Sequence, residues 1–141
     1  MKSSTSPEHI RRLARELYAA WSLHEPERLD AILTDDSVYE DVATGRRTRG
    51  KNAIKQILRA AYAWAPDFRV TMQSIIVGED LAAAEWVSEG IQTGPHGDLP
   101  ASGNSFRLRG VSILTFREGK IATVTDYYDM ATFLRQLEAP G

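Results

Sequence analysis

Apolar residues recur at helical spacing up to Pro66 and at alternate positions after it. In the first half, Ile10, Leu13, Ala14, Leu17 and Trp21 share one helix face, and Arg11, Arg12, Arg15 and Glu16 take the other. The segment opens on Ser6-Pro7-Glu8-His9, with serine placed to accept free N–H groups and proline at the first helical position, where no N–H is needed. His24-Glu25-Pro26-Glu27 breaks this helix and starts a short second one over Pro26–Leu33, with Leu29, Ile32 and Leu33 inward. Thr34-Asp35-Asp36-Ser37 reads as a turn cluster, and Val38-Tyr39-Glu40-Asp41-Val42 as a short strand. Thr44 to Gly50, with Arg46, Arg47 and Arg49, reads as a solvated basic loop. A third helix carries Ala53, Ile54, Ile57, Leu58 and Ala61 on one stripe, with Trp64 near its end and Pro66 as its stop.

Beyond Pro66 the period falls to two. Strands are predicted at about Phe68–Val77, Ala82–Gln92, Phe106–Phe116 and Lys120–Tyr128, with hairpin turns at Gly78-Glu79-Asp80 and Glu118-Gly119. Thr93 to Asn104 is rich in Gly, Pro, Asp and Ser, too long for a tight turn, and permits a lid. A last helix runs from Asp129, as N-cap, to about Leu137. Neither repeat nor linker interrupts the chain, so a single domain over 1–141 is expected. The predicted class is α+β: a curved, mostly antiparallel sheet and three N-terminal helices on one face, forming a cone-shaped barrel around an apolar pocket.

Alternation groups the pocket wall. Phe106, Leu108, Gly110, Ser112, Leu114 and Phe116 share one side of their strand; Ala84, Trp86, Ser88, Gly90 and Gln92 share one side of the neighbouring strand. Ala122, Val124, Asp126 and Tyr128 form a third set. Asp126 is the misfit, a carboxylate between a β-branched run and two tyrosines, where it needs a partner or a task. It either points into the cavity, with the raised pKa that suits proton transfer, or caps the last helix or pairs with Arg107 or Arg109. Asp41 is either a second pocket carboxylate or a solvated turn residue. Tyr18, Tyr39 and Tyr128 are candidates to orient a substrate oxygen, with Leu108, Leu114, Trp86, Ser88 and Ser112 completing the binding surface; the alternatives are packing for Trp21, Trp64 and Trp86 and core serines bonded to backbone for Ser88 and Ser112.

Charge and motifs narrow the chemistry. The net charge of −2 supplies no bulk drive toward nucleic acid or an anionic membrane. Cysteine is absent, which removes disulfides and thiol nucleophiles. His9, His24 and His96 lack ligand spacing, so no metal is expected. The run from Gly45 through Gly50 and Lys51 approaches a phosphate loop, but Asn52 stands where Ser or Thr would hold magnesium. Neither a dinucleotide fingerprint nor a Gly-x-Ser-x-Gly elbow is present. Met1 to Glu8 lacks the apolar stretch of a secretory signal, and no run reaches bilayer length. The expectation is a cytoplasmic, cofactor-independent domain whose partner is a small hydrophobic molecule, a carbonyl compound if Asp126 serves in enolisation.

Asp126-Tyr127-Tyr128-Asp129 followed by Phe133-Leu134-Arg135-Gln136-Leu137, after the turn Glu118-Gly119-Lys120-Ile121, resembles the C-terminal signature of SnoaL-like polyketide cyclases. The likeness extends to Val38-Tyr39-Glu40-Asp41, Gly50-Lys51-Asn52-Ala53-Ile54 and Ser102-Gly103-Asn104-Ser105-Phe106. That family belongs to the nuclear-transport-factor-like superfamily, with the ketosteroid isomerases and limonene epoxide hydrolases. The resemblance implies that Asp126 is the acid–base aspartate and that Asp41 occupies the place of the isomerase base. It sets Ser112 where the cyclases have histidine and the isomerases a protonated aspartate. Trp86 and Ser88 stand where the epoxide hydrolases need arginine and aspartate. It also implies dimers or larger assemblies, for which the outer face, with Val111 and Ile113 beside Arg107 and Arg109, is a candidate. Three readings stay open: an acid–base cyclase working by aldol-type closure, an isomerase or epoxide-opening enzyme that adds Asp41, and a binding or association module.

Overall fold

The computed structural model describes residues 4–138, so the first and last three residues of the expected domain lie outside it. Helix α1 (Pro7–Ser22) begins as its sequence demands, the Ser6 hydroxyl accepting the His9 N–H at 3.2 Å. Its apolar face, Ile10, Leu13 and Leu17, is fully buried. A 3-10 helix (Pro26–Ala31) leads into strands β1 (Leu33–Asp41) and β2 (Arg46–Arg49). Helix α2 (Lys51–Trp64) is followed by β3 (Arg69–Gly78), β4 (Leu81–Ile91), β5 (Ser105–Arg117), β6 (Lys120–Tyr128) and helix α3 (Met130–Glu138).

The strands form one curved sheet in the order β2-β1-β6-β5-β4-β3. Every neighbouring pair is antiparallel except β1 and β6, which run parallel. The α+β class holds, but the sheet does not close: β2 and β3 remain as edges, and the helices complete the enclosure. The main core lies between the sheet and the helices, with Leu13, Leu17, Leu29, Ile54 and Leu58 meeting Ala84, Leu114, Ile121 and Val124. Each such Leu or Ile contributes roughly 1.5–3 kcal/mol on burial. A second cluster joins Phe133 and Leu137 of α3 to Phe106, Leu108 and Ala65.

Four local expectations are corrected. Leu33 ends no helix; it opens β1 and pairs with Ile121. Thr34 to Ser37 is strand rather than turn, and lies opposite the single residue Ala122 of β6, because the register passes from Leu33/Ile121 to Val38/Thr123. The bulge turns Asp35 and Asp36 into solvent, where they pair with Lys51 and Arg117. The basic loop folds partly as edge strand β2, its arginines exposed. Ala122 is a bulged residue of β6, so Ile121 takes the inward place that simple alternation assigns to Ala122. The β5–β6 turn is as predicted: Glu118 and Gly119 both have positive φ (55° and 75°), the twist that a two-residue hairpin prefers.

One glycine positions the cavity wall. A Cβ added at Gly110 would lie 2.3 Å from the Trp86 ring, so only glycine lets β5 pass beneath that indole. Gly110→Ala is therefore expected to cost about 1–3 kcal/mol, measured by equilibrium unfolding in urea, and to disturb Trp86 fluorescence. Unchanged stability would refute the contact.

Candidate active site

Between the concave sheet face and helices α1 and α2 lies a cavity of about 210 Å³. Trp21, Trp64, Trp86, Phe68, Phe106 and Leu108 supply its apolar walls. Buried Tyr18 and Tyr39 mark its inner end, and exposed Thr44 and Arg46 mark its rim. Asp126 enters from β6, in the middle of the sheet, and is one of the residues lining the cavity.

The sheet register decides what meets this carboxylate. Asp126 is paired with Ser112 on β5 and with Asp41 on β1. Ser112 Oγ donates to Asp126 Oδ1 at 2.6 Å, and Tyr39 donates to Oδ2. Trp86 Nε1 donates to Ser112 Oγ at 2.8 Å, fixing which way the serine proton points. Burial pushes the Asp126 carboxyl up to about 6; the hydrogen bonds from Ser112 and Tyr39 act against that rise, and the nearby Asp41 carboxylate adds to it. Burial, together with the Asp126 charge, holds the Tyr39 phenol far above its ordinary range. Asp41 also lines the cavity, accepting from Tyr128 at 2.7 Å and from the Thr44 N–H at 3.2 Å.

Counting protons separates the hydroxyls. Those of Tyr39 and Ser112 are committed to Asp126, and that of Tyr128 to Asp41. Ser112 is itself almost fully buried behind the carboxylate. It holds Asp126 from behind and is not part of the cavity surface to which its place on β5 assigns it. Tyr18 differs: its residue lines the cavity, and its buried hydroxyl lies near enough to Ser112 to feel it but makes no bond of hydrogen-bond geometry to any group. Burial raises its pKa, so it stays a neutral donor.

Of the residues singled out from sequence, Asp126, Asp41, Tyr18, Tyr39, Tyr128, Trp86, Ser88 and Leu108 line the cavity. Leu114 does not; it is fully buried in the core, displaced from the cavity by its place nearer the β5–β6 turn. Asp126 neither caps α3 nor pairs with arginine: Asp129 takes the capping bonds to the Ala131 N–H and the Thr132 hydroxyl, and Arg107 faces Glu89. Trp21 and Trp64, read as packing, are cavity walls as well. His96 and Arg46 were missed as site residues. Both stand in irregular or edge segments that have no periodicity to assign them a side. Among the described residues no cluster of three His, Cys, Asp or Glu side chains could hold a metal, and no helix is long and apolar enough to cross a membrane.

A family model described as SnoaL-like polyketide cyclase matches residues 11–137. The structure is similar to TsrD from Streptomyces laurentii, with 26% identity, coverage of 95% of this chain and 98% of that one, and a TM-score of 0.85. It is also similar to a protein of ketosteroid isomerase-like fold from Catenulispora acidiphila DSM 44928, solved with trimethylamine (24% identity, 96% of each chain, TM-score 0.80). IdmH from Streptomyces antibioticus, a candidate polyketide cyclase, aligns at 23% identity over 92% of this chain and 98% of its own, with a TM-score of 0.80. No curated protein matches the chain.

The carboxylate geometry has a measurable consequence. In a carboxyl-carbon NMR titration Asp126 is expected to titrate near pH 6, and Tyr39→Phe or Ser112→Ala to move the midpoint higher, since each removes a bond that favours the charged form. The unfolded chain releases this proton near 3.9. Between that value and about 6 the folded state therefore binds more protons than the unfolded one, and the Asp126 contribution to stability falls as pH rises. The loss is on the order of 2–3 kcal/mol and is complete above pH 6. Asp126→Asn should flatten that slope in urea unfolding measured from pH 4 to 7. A midpoint at or below the free value would contradict the desolvated carboxylate.

Proposed function

The chain belongs to the SnoaL-like polyketide cyclase family, and on that premise we propose that it is an acid–base enzyme that closes a ring in a polyketide-like carbonyl compound by intramolecular aldol chemistry. The observation that carries this reading is Asp126: a carboxylate raised to about 6, held by two hydroxyl donors at the wall of an apolar cavity. At pH 7 it is mostly ionised and ready to accept a proton, yet its conjugate acid is near enough in energy to give that proton back.

The steps balance without a co-reactant. Asp126 takes a proton from a carbon beside a substrate carbonyl, and the C–H electrons pass into an enolate. We assign the enolate oxygen to Tyr18, whose buried and unbonded O–H has to turn into the cavity to reach it. The enolate carbon then bonds to a second carbonyl carbon, whose π electrons move to oxygen as an alkoxide. The proton held by Asp126 passes to that alkoxide, restoring the carboxylate. Tyr39 and Ser112 keep the two carboxylate oxygens oriented through the cycle. The aromatic walls bind the apolar substrate and press its reacting carbons together. Because the reaction needs only proton transfers and one C–C bond, the reading calls for no cofactor.

A second reading rests on Asp41. Its carboxylate lies on the neighbouring parallel strand, in register with Asp126 and at the same cavity. Two carboxylates so placed suit relaying a proton between two carbons of one substrate, as an isomerase does, or opening an epoxide. In that case Asp41→Asn would be as damaging as Asp126→Asn.

Enolisation can be tested before the natural substrate is known. With 2-tetralone in D2O, NMR should show protein-accelerated exchange of the α-hydrogens, with a rate that falls about tenfold per pH unit below about 6. Asp126→Asn should lower the accelerated rate by roughly 10²–10⁴-fold. Tyr18→Phe should lower it by about 10²-fold with little change in KM, the signature of a donor that acts on the transition state. Equal effects of Asp41→Asn would favour the second reading. Tight binding of the ketone without exchange would favour a binding module.

A further inference from the structure

The proton chemistry occupies the buried end of the cavity; the rim has a different character. Arg46 lies at the exposed start of β2, opposite Asp41 in the β1–β2 register, and lines the cavity. Arg46 faces no carboxylate at ion-pair distance among the described residues, and of the arginines without such a partner it is the one that lines the cavity. The Asp41 carboxylate is occupied instead by Tyr128 and the Thr44 N–H. Arg46, Tyr128 and His96 line the same cavity, which brings β2, β6 and the loop after β4 together around it.

His96 is the second polar group there. Its loop is tied down: Thr93 and Gly94 donate to the Trp64 carbonyl at 3.0 and 3.1 Å, and His96 and Leu99 exchange backbone hydrogen bonds at 2.9 Å. A Cβ at Gly94 would come 2.4 Å from the Ala63 carbonyl oxygen, so glycine permits this close anchoring to α2. The imidazole is wedged edge-on between Trp64 and Phe133, with ring centroids 4.7 and 5.4 Å away, and lines the cavity. Burial and the Arg46 charge keep it neutral, with one N–H to donate. Neither ring nitrogen bonds another residue; the ring senses only its own backbone as a hydrogen-bond partner, so turning its N–H to a ligand at the rim breaks no contact between elements.

From this geometry we infer that Arg46 and His96 receive a carboxylate at the cavity rim, so that the substrate is a keto acid bound with its acid group outward and its reacting C–H toward Asp126. The rim carries both signs, since Asp41 stands opposite Arg46, but the Asp41 carboxylate is already bonded to Tyr128 and the Thr44 N–H. An anionic group at the buried end would meet the Asp126 charge in low dielectric, whereas at the rim it gains charge-assisted bonds from a guanidinium and an imidazole N–H. The apolar body then lies against Trp86, Phe68 and Trp21. This deepens the acid–base reading and rests on it for the direction of the reacting carbon, but the anion site itself is independent of any reaction.

The test uses two unreactive ligands of one shape, 2-naphthoate and 2-naphthamide, titrated calorimetrically into the full chain. Naphthoate should bind about tenfold or more tightly than the amide, with the preference shrinking as salt is added. Arg46→Gln, an exposed change, should bring the ratio near one and leave the amide affinity unchanged. His96→Phe keeps the aromatic packing and should lower the ratio severalfold without changing the melting temperature. Equal affinities in the natural protein, or no binding of naphthoate at millimolar concentration, would overturn the inference. So would an Asp126→Asn change that tightens naphthoate while Arg46→Gln leaves it alone, because that would place the anion at the buried end. Retained naphthoate preference with no ketone exchange would instead end the acid–base reading and leave the anion site standing.

Discussion

The desolvation of one carboxylate shapes much of this molecule. Asp126 sits on a central strand of the sheet, facing an apolar cavity, and burial there disfavours its charge. An ionised group in such surroundings is tolerated only where donors replace water. Tyr39 supplies one from β1 and Ser112 one from β5, so the two strands flanking β6 each contribute a hydroxyl. Trp86, on the next strand, anchors Ser112, and Gly110 leaves room for the Trp86 ring. Four neighbouring strands are thus committed to a single side chain. The donors do not cancel the effect of burial, and the carboxyl remains raised to about 6.

The parallel β1–β6 pairing has a second effect. In parallel register, residues opposite one another point to the same face, so Asp41 and Asp126 share the cavity. Had β1 been displaced by one residue, Glu40 would have taken that place and Tyr39 would have left Asp126. The bulge at Thr34 to Ser37 sets this register, since four residues of β1 there stand opposite the single Ala122 of β6. An apparent irregularity far from the cavity therefore governs which acid enters it.

Hydrogen-bond bookkeeping also distinguishes roles among side chains of one type. Three tyrosines line the cavity, but the Tyr39 and Tyr128 protons are spent on aspartates, whereas the Tyr18 hydroxyl has no partner. The walls are as uneven. The apolar side comes from regular elements, but the polar rim is built by the edge strand β2 and the loop after β4, which a few backbone bonds to α2 hold in place. Variation in such segments changes what a cavity accepts without disturbing the core that supports it.

The sequence by itself determined the elements and the inward faces. Helical spacing before Pro66 and alternation after it identify the core of α1, α2, β4 and β5, because burial is read directly from periodicity. It also marked Asp126, since a lone acid amid strand formers is costly without a task. What it could not supply were the partners across strands. The donation from Tyr39 to Asp126 spans 87 positions and that from Trp86 to Ser112 spans 26, separations that only sheet order and register bring together. Alternation likewise failed at Ala122, where a bulge shifts the phase, and at Leu114, which alternates correctly but lies too far along its strand to reach the cavity. Arg46 and His96 stayed hidden because edge strands and loops carry no periodic signal. Tertiary structure decided the use of each inward residue, for the physical reason that a pKa and a free proton depend on neighbours distant in the chain.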